Sequence, residues 1–74
     1  MIKLTQLEYF MAALDHGSIA QGARALFVSQ PVFTNAIKTL EAEMGAPLLI
    51  RTSRGVQPTE LGQKVYQQGL VIFA

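Results

Sequence analysis

Five side chains between positions 30 and 38 carry the densest chemistry in this sequence: Gln30, Pro31, Thr34, Asn35 and Lys38. At helical spacing they share one side of a helix, opposite Phe33, Ile37, Leu40 and Met44, which repeat at intervals of 4, 3 and 4. The polar side offers amides, a hydroxyl, a proline ring and an ammonium, with no carboxylate until Glu41. Amides and hydroxyls both donate and accept, and an ammonium attracts anions, so this surface suits hydrogen bonding to a polyanion. A second cationic run follows in Arg51-Thr52-Ser53-Arg54-Gly55, whose two guanidiniums suit phosphate.

Catalysis has little to work with here. There is one histidine, no cysteine, and no pair of carboxylates outside helix surfaces. Asp15 beside His16 resembles a base with its orienter, but a histidine in a helix's last turn is more simply a partner of the helix dipole. The six glycines form neither a GxGxxG fingerprint nor a Walker loop. Without cysteine there is no disulfide framework and no thiolate metal site. No enzyme activity, metal or cofactor is expected.

The elements that must position these groups follow from the apolar pattern. Thr5-Gln6-Leu7-Glu8 reads as a capping box, and Leu7, Phe10, Met11 and Leu14 form the stripe of a first helix running to about His16, with Gly17 as its stop. Ser18-Ile19-Ala20-Gln21 reads as a second box. It opens a short helix whose stripe of Ile19, Ala23 and Leu26 is mostly small and predicts close packing. Phe27-Val28 is an apolar turn, and Ser29 caps a third helix with Pro31 in its first turn, where a missing N–H costs nothing. That helix continues to Met44 and stops at Gly45. Leu48-Leu49-Ile50 suggests a short strand, residues 51–55 a turn, and Val56-Gln57 a return strand, together a small hairpin or wing. Thr59 caps a last helix that grows steadily more apolar through Leu70 to Phe73.

A chain of 74 residues makes one small unit, and such a domain buries only about 60% of its unfolded surface. Half of the residues are apolar and 15% are charged, so some apolar surface is expected to meet a partner, and association is the natural supplement to a small core. The net charge of +1 does not by itself argue for nucleic acid. The distribution does more: Glu41 and Glu43 cluster late in the third helix, away from Arg51 and Arg54. No basic leader precedes the first apolar residues, and no apolar run approaches the roughly 18 residues of a membrane span. A cytoplasmic protein without membrane contact is expected.

Two short helices joined by a tight turn, the second with a polar face, fit a helix-turn-helix by spacing, as do other three-helix domains. Residue identity narrows the choice. Leu7-x-Tyr9-Phe10, Gly17-Ser18-Ile19, Ala23-x-x-Leu26, Val28-Ser29-Gln30-Pro31, Ile37-x-x-Leu40-Glu41, Gly45-x-Pro47-Leu48-Leu49, Arg51 and Thr59-Glu60-x-Gly62 follow one another in order. This series resembles the N-terminal signature of LysR-type transcriptional regulators and covers nearly the whole chain. The resemblance implies a mostly α fold: a winged helix-turn-helix over residues 1–58, then the start of a dimerising linker helix over 59–74. In that family a small-molecule effector binds a further, periplasmic-binding-protein-like domain, which this sequence lacks, so the chain is expected to be part of a longer regulator.

The resemblance also implies the partner, double-stranded DNA, and roles for individual residues. Gln30 can pair bidentately with adenine, the Thr34 hydroxyl can serve either strand, and the Pro31 ring can touch a thymine methyl in the major groove. Ser18 and Ser29 either cap their helices only or also meet phosphates at the positive helix ends. Arg54, at the wing tip, suits a narrow minor groove, and Arg51 either forms a salt bridge or meets phosphate. Asn35 and Thr39 stand where relatives commonly carry a basic residue. The salt dependence of binding should therefore be shallow, because each neutralised phosphate adds about one unit of slope. Asn35 is assigned to a base instead, beside Lys38 on the same face. Phe33 stands where leucine is more common.

Leu61, Val65, Leu70, Ile72 and Phe73 are candidates for the seam between two antiparallel linker helices, giving a homodimer here and a tetramer in the full-length protein. The alternative is that they pack on their own first helix. A dimer implies a two-fold symmetric site, T- and A-rich as is usual for the family. The rival reading is a protein-interaction module, since winged helices also bind proteins. That version should show an aromatic or aliphatic anchor on the free face of the third helix, where the sequence places Gln30, Pro31 and Thr34.

Overall fold

The computed structural model describes all residues from Met1 to Ala74. Helix α1 spans Leu4–His16, so it begins before the Thr5 box expected from the sequence. The reason is local. Gln6 Oε1 accepts the Lys3 N–H at 3.3 Å, which satisfies the helix start two residues early, leaving Thr5 inside the helix and Glu8 exposed. Gly17 ends α1 at φ +84°, its N–H bonded to the Ala13 carbonyl at 2.9 Å.

Helix α2 spans Ile19–Ala25. Ser18 Oγ accepts the Gln21 N–H at 3.0 Å, but the Gln21 amide turns away to accept from Arg24 at 3.0 Å, so only half of the expected box forms. Close packing of this helix is real and depends on Gly22: a Cβ there would lie 2.7 Å from the Phe33 ring and 3.1 Å from the Ala13 backbone. Helix α3 spans Gln30–Met44, with Ser29 Oγ accepting the Val32 N–H at 3.3 Å and Gly45 closing it at φ +79°. Between α2 and α3 the turn passes through Phe27, a non-glycine residue at φ +59° whose side chain is 96% exposed.

Strands β1 (Leu49–Thr52) and β2 (Gly55–Pro58) form an antiparallel hairpin in the register Leu49 to Pro58, Ile50 to Gln57, Arg51 to Val56 and Thr52 to Gly55. Arg51 and Thr52, assigned to the turn by sequence, are therefore strand residues, and the turn is Ser53-Arg54. Leu48, assigned to the strand, precedes it and is fully buried. The hydrophobic pattern misplaced the boundaries because β1 is held by backbone pairing while its outer residues face solvent.

Helix α4 spans Glu60–Ile72. Thr59 Oγ1 accepts the Gly62 N–H at 2.9 Å while donating to the Pro47 carbonyl at 2.8 Å, and the Thr59 N–H reaches the Leu48 carbonyl at 3.0 Å. Gly62 is pressed so closely on that carbonyl that a Cβ would overlap it. The segments Gly45-x-Pro47-Leu48-Leu49 and Thr59-Glu60-x-Gly62 are thus two sides of one contact. Further along, Gly69 lies against the Met11 thioether, so α4 packs on α1 over these residues.

The core gathers Leu7, Phe10, Met11, Ala13, Ile19, Ala23, Phe33, Ile37, Leu40 and Leu48. Phe33 stacks on Tyr9 with ring centroids 5.3 Å apart, and the space left by Gly22 accepts its ring. Of the five seam candidates, Leu61 and Val65 pack partly buried against this core. Leu70, Ile72 and Phe73 are 45%, 53% and 44% exposed, and Val71, not among the candidates, is 74% exposed. No helix is long and apolar enough to cross a membrane.

Candidate nucleic-acid interface

The sequence of α3 divides its faces as its periodicity predicts. Phe33, Ile37 and Leu40 are buried, while Gln30, Pro31, Asn35 and Lys38 are exposed and Thr34 is half-buried. Gln30 and Pro31 are the first two helical residues, so their side chains stand at the helix's open N-terminal end, just past the Ser29 cap. Thr39, one turn past Asn35, donates its hydroxyl back to the Asn35 carbonyl at 2.9 Å.

Side chains from α3 and β1 meet in a shallow depression of about 80 Å³ lined by Thr34, Lys38, Glu41 and Arg51, with Ile19, Ile37 and Leu49 beneath them. The two cationic regions that are well apart in sequence therefore adjoin. Arg51 has no carboxylate partner: the one ion pair in the structure joins the Met1 ammonium to Glu43 at 3.2 Å. The salt-bridge alternative for Arg51 is not realised, and its guanidinium is exposed. Glu41, by contrast, is occupied. Its Oε2 accepts the backbone N–H of Leu48 at 2.7 Å and of Leu49 at 3.2 Å, tying the end of α3 to the start of β1.

Arg54 occupies the hairpin tip, where its N–H bonds to Thr52 Oγ1 at 3.2 Å. The flank of the hairpin is fixed to the turn between α1 and α2. Val56 N–H bonds to the Gly17 carbonyl at 3.1 Å, and Gly55, at φ +131°, leaves no space for a Cβ against that same oxygen. Ser18 therefore sits beside the wing, whereas Ser29 sits at the base of α3.

Several residues that shape this surface have no signature in the helical or strand periodicity. Glu41 looked like one of two late acidic residues, and its link to Leu48 lies outside any helical period. Tyr66 on α4 donates its hydroxyl to Asp15 on α1, 51 positions away. That hydrogen bond, then burial, then the Asp15 charge hold the Tyr66 phenol above its usual range. The fixed order of the motif segments was the only available signal that these distant pieces meet.

Three helices, the last two joined by a tight turn, with a polar helix face next to a cationic hairpin, define a winged helix-turn-helix. Residues 4–63 match the bacterial regulatory helix-turn-helix proteins of the lysR family. The chain belongs to that family. It is 44% identical over 72 residues to the nitrogen assimilation regulatory protein nac of Klebsiella aerogenes, covering 97% of this chain and 24% of that protein. It is 40% identical over 73 residues to the transcriptional regulator BudR of the same organism, covering 99% of this chain and 51% of BudR. The chain thus spans a quarter to a half of the length of these relatives.

Among solved structures, the DNA-binding domain of CbnR in complex with DNA superposes with a TM-score of 0.90 at 37% identity, covering 96% of this chain and 82% of that one. The BenM DNA-binding domain bound to benA site 1 DNA gives 0.89 at 35% identity, covering 96% and 83%. The family is one of transcriptional regulators, not of enzymes.

Proposed function

We propose that this chain is the sequence-specific DNA-binding end of an effector-responsive transcriptional regulator. The observation that carries the reading is the adjacency of the open polar side of α3 and the cationic base of the wing, with no ion pair to Lys38, Arg51 or Arg54 and with Glu41, the one acid beside them, hydrogen-bonded to backbone. Support also comes from the two superposed domains whose structures contain DNA.

In this reading α3, from its Ser29 cap to Met44, enters the major groove by its N-terminal end. Gln30 pairs with adenine, Pro31 touches a thymine methyl, and Thr34 and Asn35 hydrogen-bond to neighbouring base edges. Lys38 and Arg51 meet phosphates, which position the domain without carrying sequence information. Ser18, beside the wing, and Ser29 add backbone contacts, and Arg54 enters the minor groove.

Residues 59–74 begin the linker helix, and the exposed Leu70, Ile72 and Phe73 pair with a second copy, with Leu61 and Val65 supporting the same helix from the core side. The dimer reads a two-fold symmetric site in the bacterial cytoplasm. A small effector acts through a domain beyond this chain, in an assembly that reaches a tetramer.

Replacing Gln30 by alanine tests the assignment: it should weaken binding to a cognate site by about 1–3 kcal/mol and leave non-specific binding nearly intact. Equal loss on both would reassign Gln30 to positioning. Phe27, exposed in the turn before α3, favours a second reading in which the same domain also docks a protein. Phe27 replacement would then leave DNA affinity unchanged and abolish only that docking.

A further inference from the structure

Glu41 is the one carboxylate within the depression shared by α3 and β1. By simple electrostatics it is misplaced, because an anion beside Thr34, Lys38 and Arg51 opposes the approach of phosphate. Yet it makes no ion pair with either cation. Its Oε2 instead accepts two successive backbone N–H groups, Leu48 at 2.7 Å and Leu49 at 3.2 Å. Charge-assisted bonds to consecutive amides fix an angle as well as a distance. Leu49 and Arg51 lie on the same side of β1 by strand alternation, and both line the depression. The direction in which the strand leaves α3 therefore determines where Arg51, and beyond it Arg54, are carried.

Apart from this bond to Glu41, the hairpin's hydrogen bond to the helices runs from Val56 N–H to the Gly17 carbonyl, at the turn between α1 and α2. Gly55 also closes on that oxygen, and Leu49 and Val56 pack partly buried against the core. Glu41 makes the one side-chain hydrogen bond between the wing and the helix that carries Gln30 and Thr34, and so fixes a direction that the apolar packing of Leu49 does not.

We infer that Glu41 is a positioning residue that sets the angle of the wing to α3, and so the span between the groups placed in the major groove and the arginine placed in the minor groove. The inference rests on the DNA-reading function above. It predicts an effect opposite in sign to electrostatics. Removing the carboxylate raises the net charge of the surface and should tighten binding if charge alone mattered, whereas loss of the clamp should weaken binding to a site that engages both grooves.

The experiment is a binding cycle on a duplex with A-tract flanks. Glu41→Ala is compared with wild type, and again in a background whose wing has lost its cations (Arg51→Ala with Arg54→Ala). The expected result is a loss on the order of tenfold in the intact background, the scale of a charge-assisted hydrogen bond, and nearly none in the stripped background. Glu41→Gln, which keeps the side-chain length and one acceptor, should show a smaller loss with the same dependence, and it carries the test if the alanine variant melts below the assay temperature. Tighter or unchanged binding by the variants overturns the inference. So does an equal loss in both backgrounds, which would mean general damage to α3. Failure of the wild-type chain to bind any duplex at low salt would instead overturn the DNA-reading function itself.

Discussion

Replacing Phe27 by asparagine should make this protein more stable, although it removes an aromatic ring. The residue sits at φ +59°, in the left-handed region, and its side chain is 96% exposed. The left-handed conformation costs a residue with a Cβ about 1–2 kcal/mol, because the Cβ crowds the following carbonyl oxygen. Asparagine adopts it more readily through local hydrogen bonding of its short amide. With the ring almost wholly in solvent, removing it forfeits almost no burial. The net gain should be about 0.5–1 kcal/mol, which for a domain of this size raises Tm by about 2–8 °C.

Thermal unfolding followed by far-UV circular dichroism measures this directly. Phe27→Gly relieves the same crowding but loosens the unfolded chain by about 0.5–1 kcal/mol, so its gain should be smaller. Phe27→Ala keeps a Cβ and should gain nothing. The reasoning is refuted if alanine stabilises as much as asparagine, because the benefit would then come from losing the ring, or if asparagine leaves Tm unchanged or lower.

Two further outcomes follow from α4. Tyr66 should ionise at higher pH than an unperturbed phenol, and spectrophotometric titration against Tyr66→Phe reads this. Because its pKa is raised in the folded chain, the neutral phenol's bond to Asp15 adds stability that is fully present below the unfolded-state pKa. That stability is lost as pH rises through the folded one, and an alkaline melting profile identical to that of Tyr66→Phe would dismiss the contribution. Ile72→Lys should abolish association in sedimentation while preserving helical content, and unchanged association would place the seam elsewhere. Val65 is a poor site for this test, because its partial burial against the core means that a charge there would unfold the chain.

Most helix limits were legible because their causes are local. Gly17, Ser18, Ser29, Gly45 and Thr59 each act on backbone groups within three or four residues, and each stands at the end the sequence assigns to it. The start of α1 was not, because Gln6 took the reciprocal role that the motif gave to Glu8. The face division of α3 was also legible, since one period serves the core and leaves the remainder free. What the sequence concealed depends on distant pairs: Glu41 with Leu48 and Leu49, Gly17 with Val56, Gly69 with Met11, Tyr66 with Asp15. None of these has a periodic signature. The five proposed seam residues divided for the same reason, since one apolar helix face can meet its own core at Leu61 and Val65 and solvent from Leu70 onward.

The most direct test of the central claim is to titrate the chain against a pool of random duplexes at two salt concentrations, with selection and sequencing of the bound fraction. The account predicts enrichment of an inverted repeat whose affinity falls with salt, as phosphate neutralisation by a small number of cations requires. Absence of any enriched sequence at low salt would contradict it and leave protein docking as the function of this winged helix.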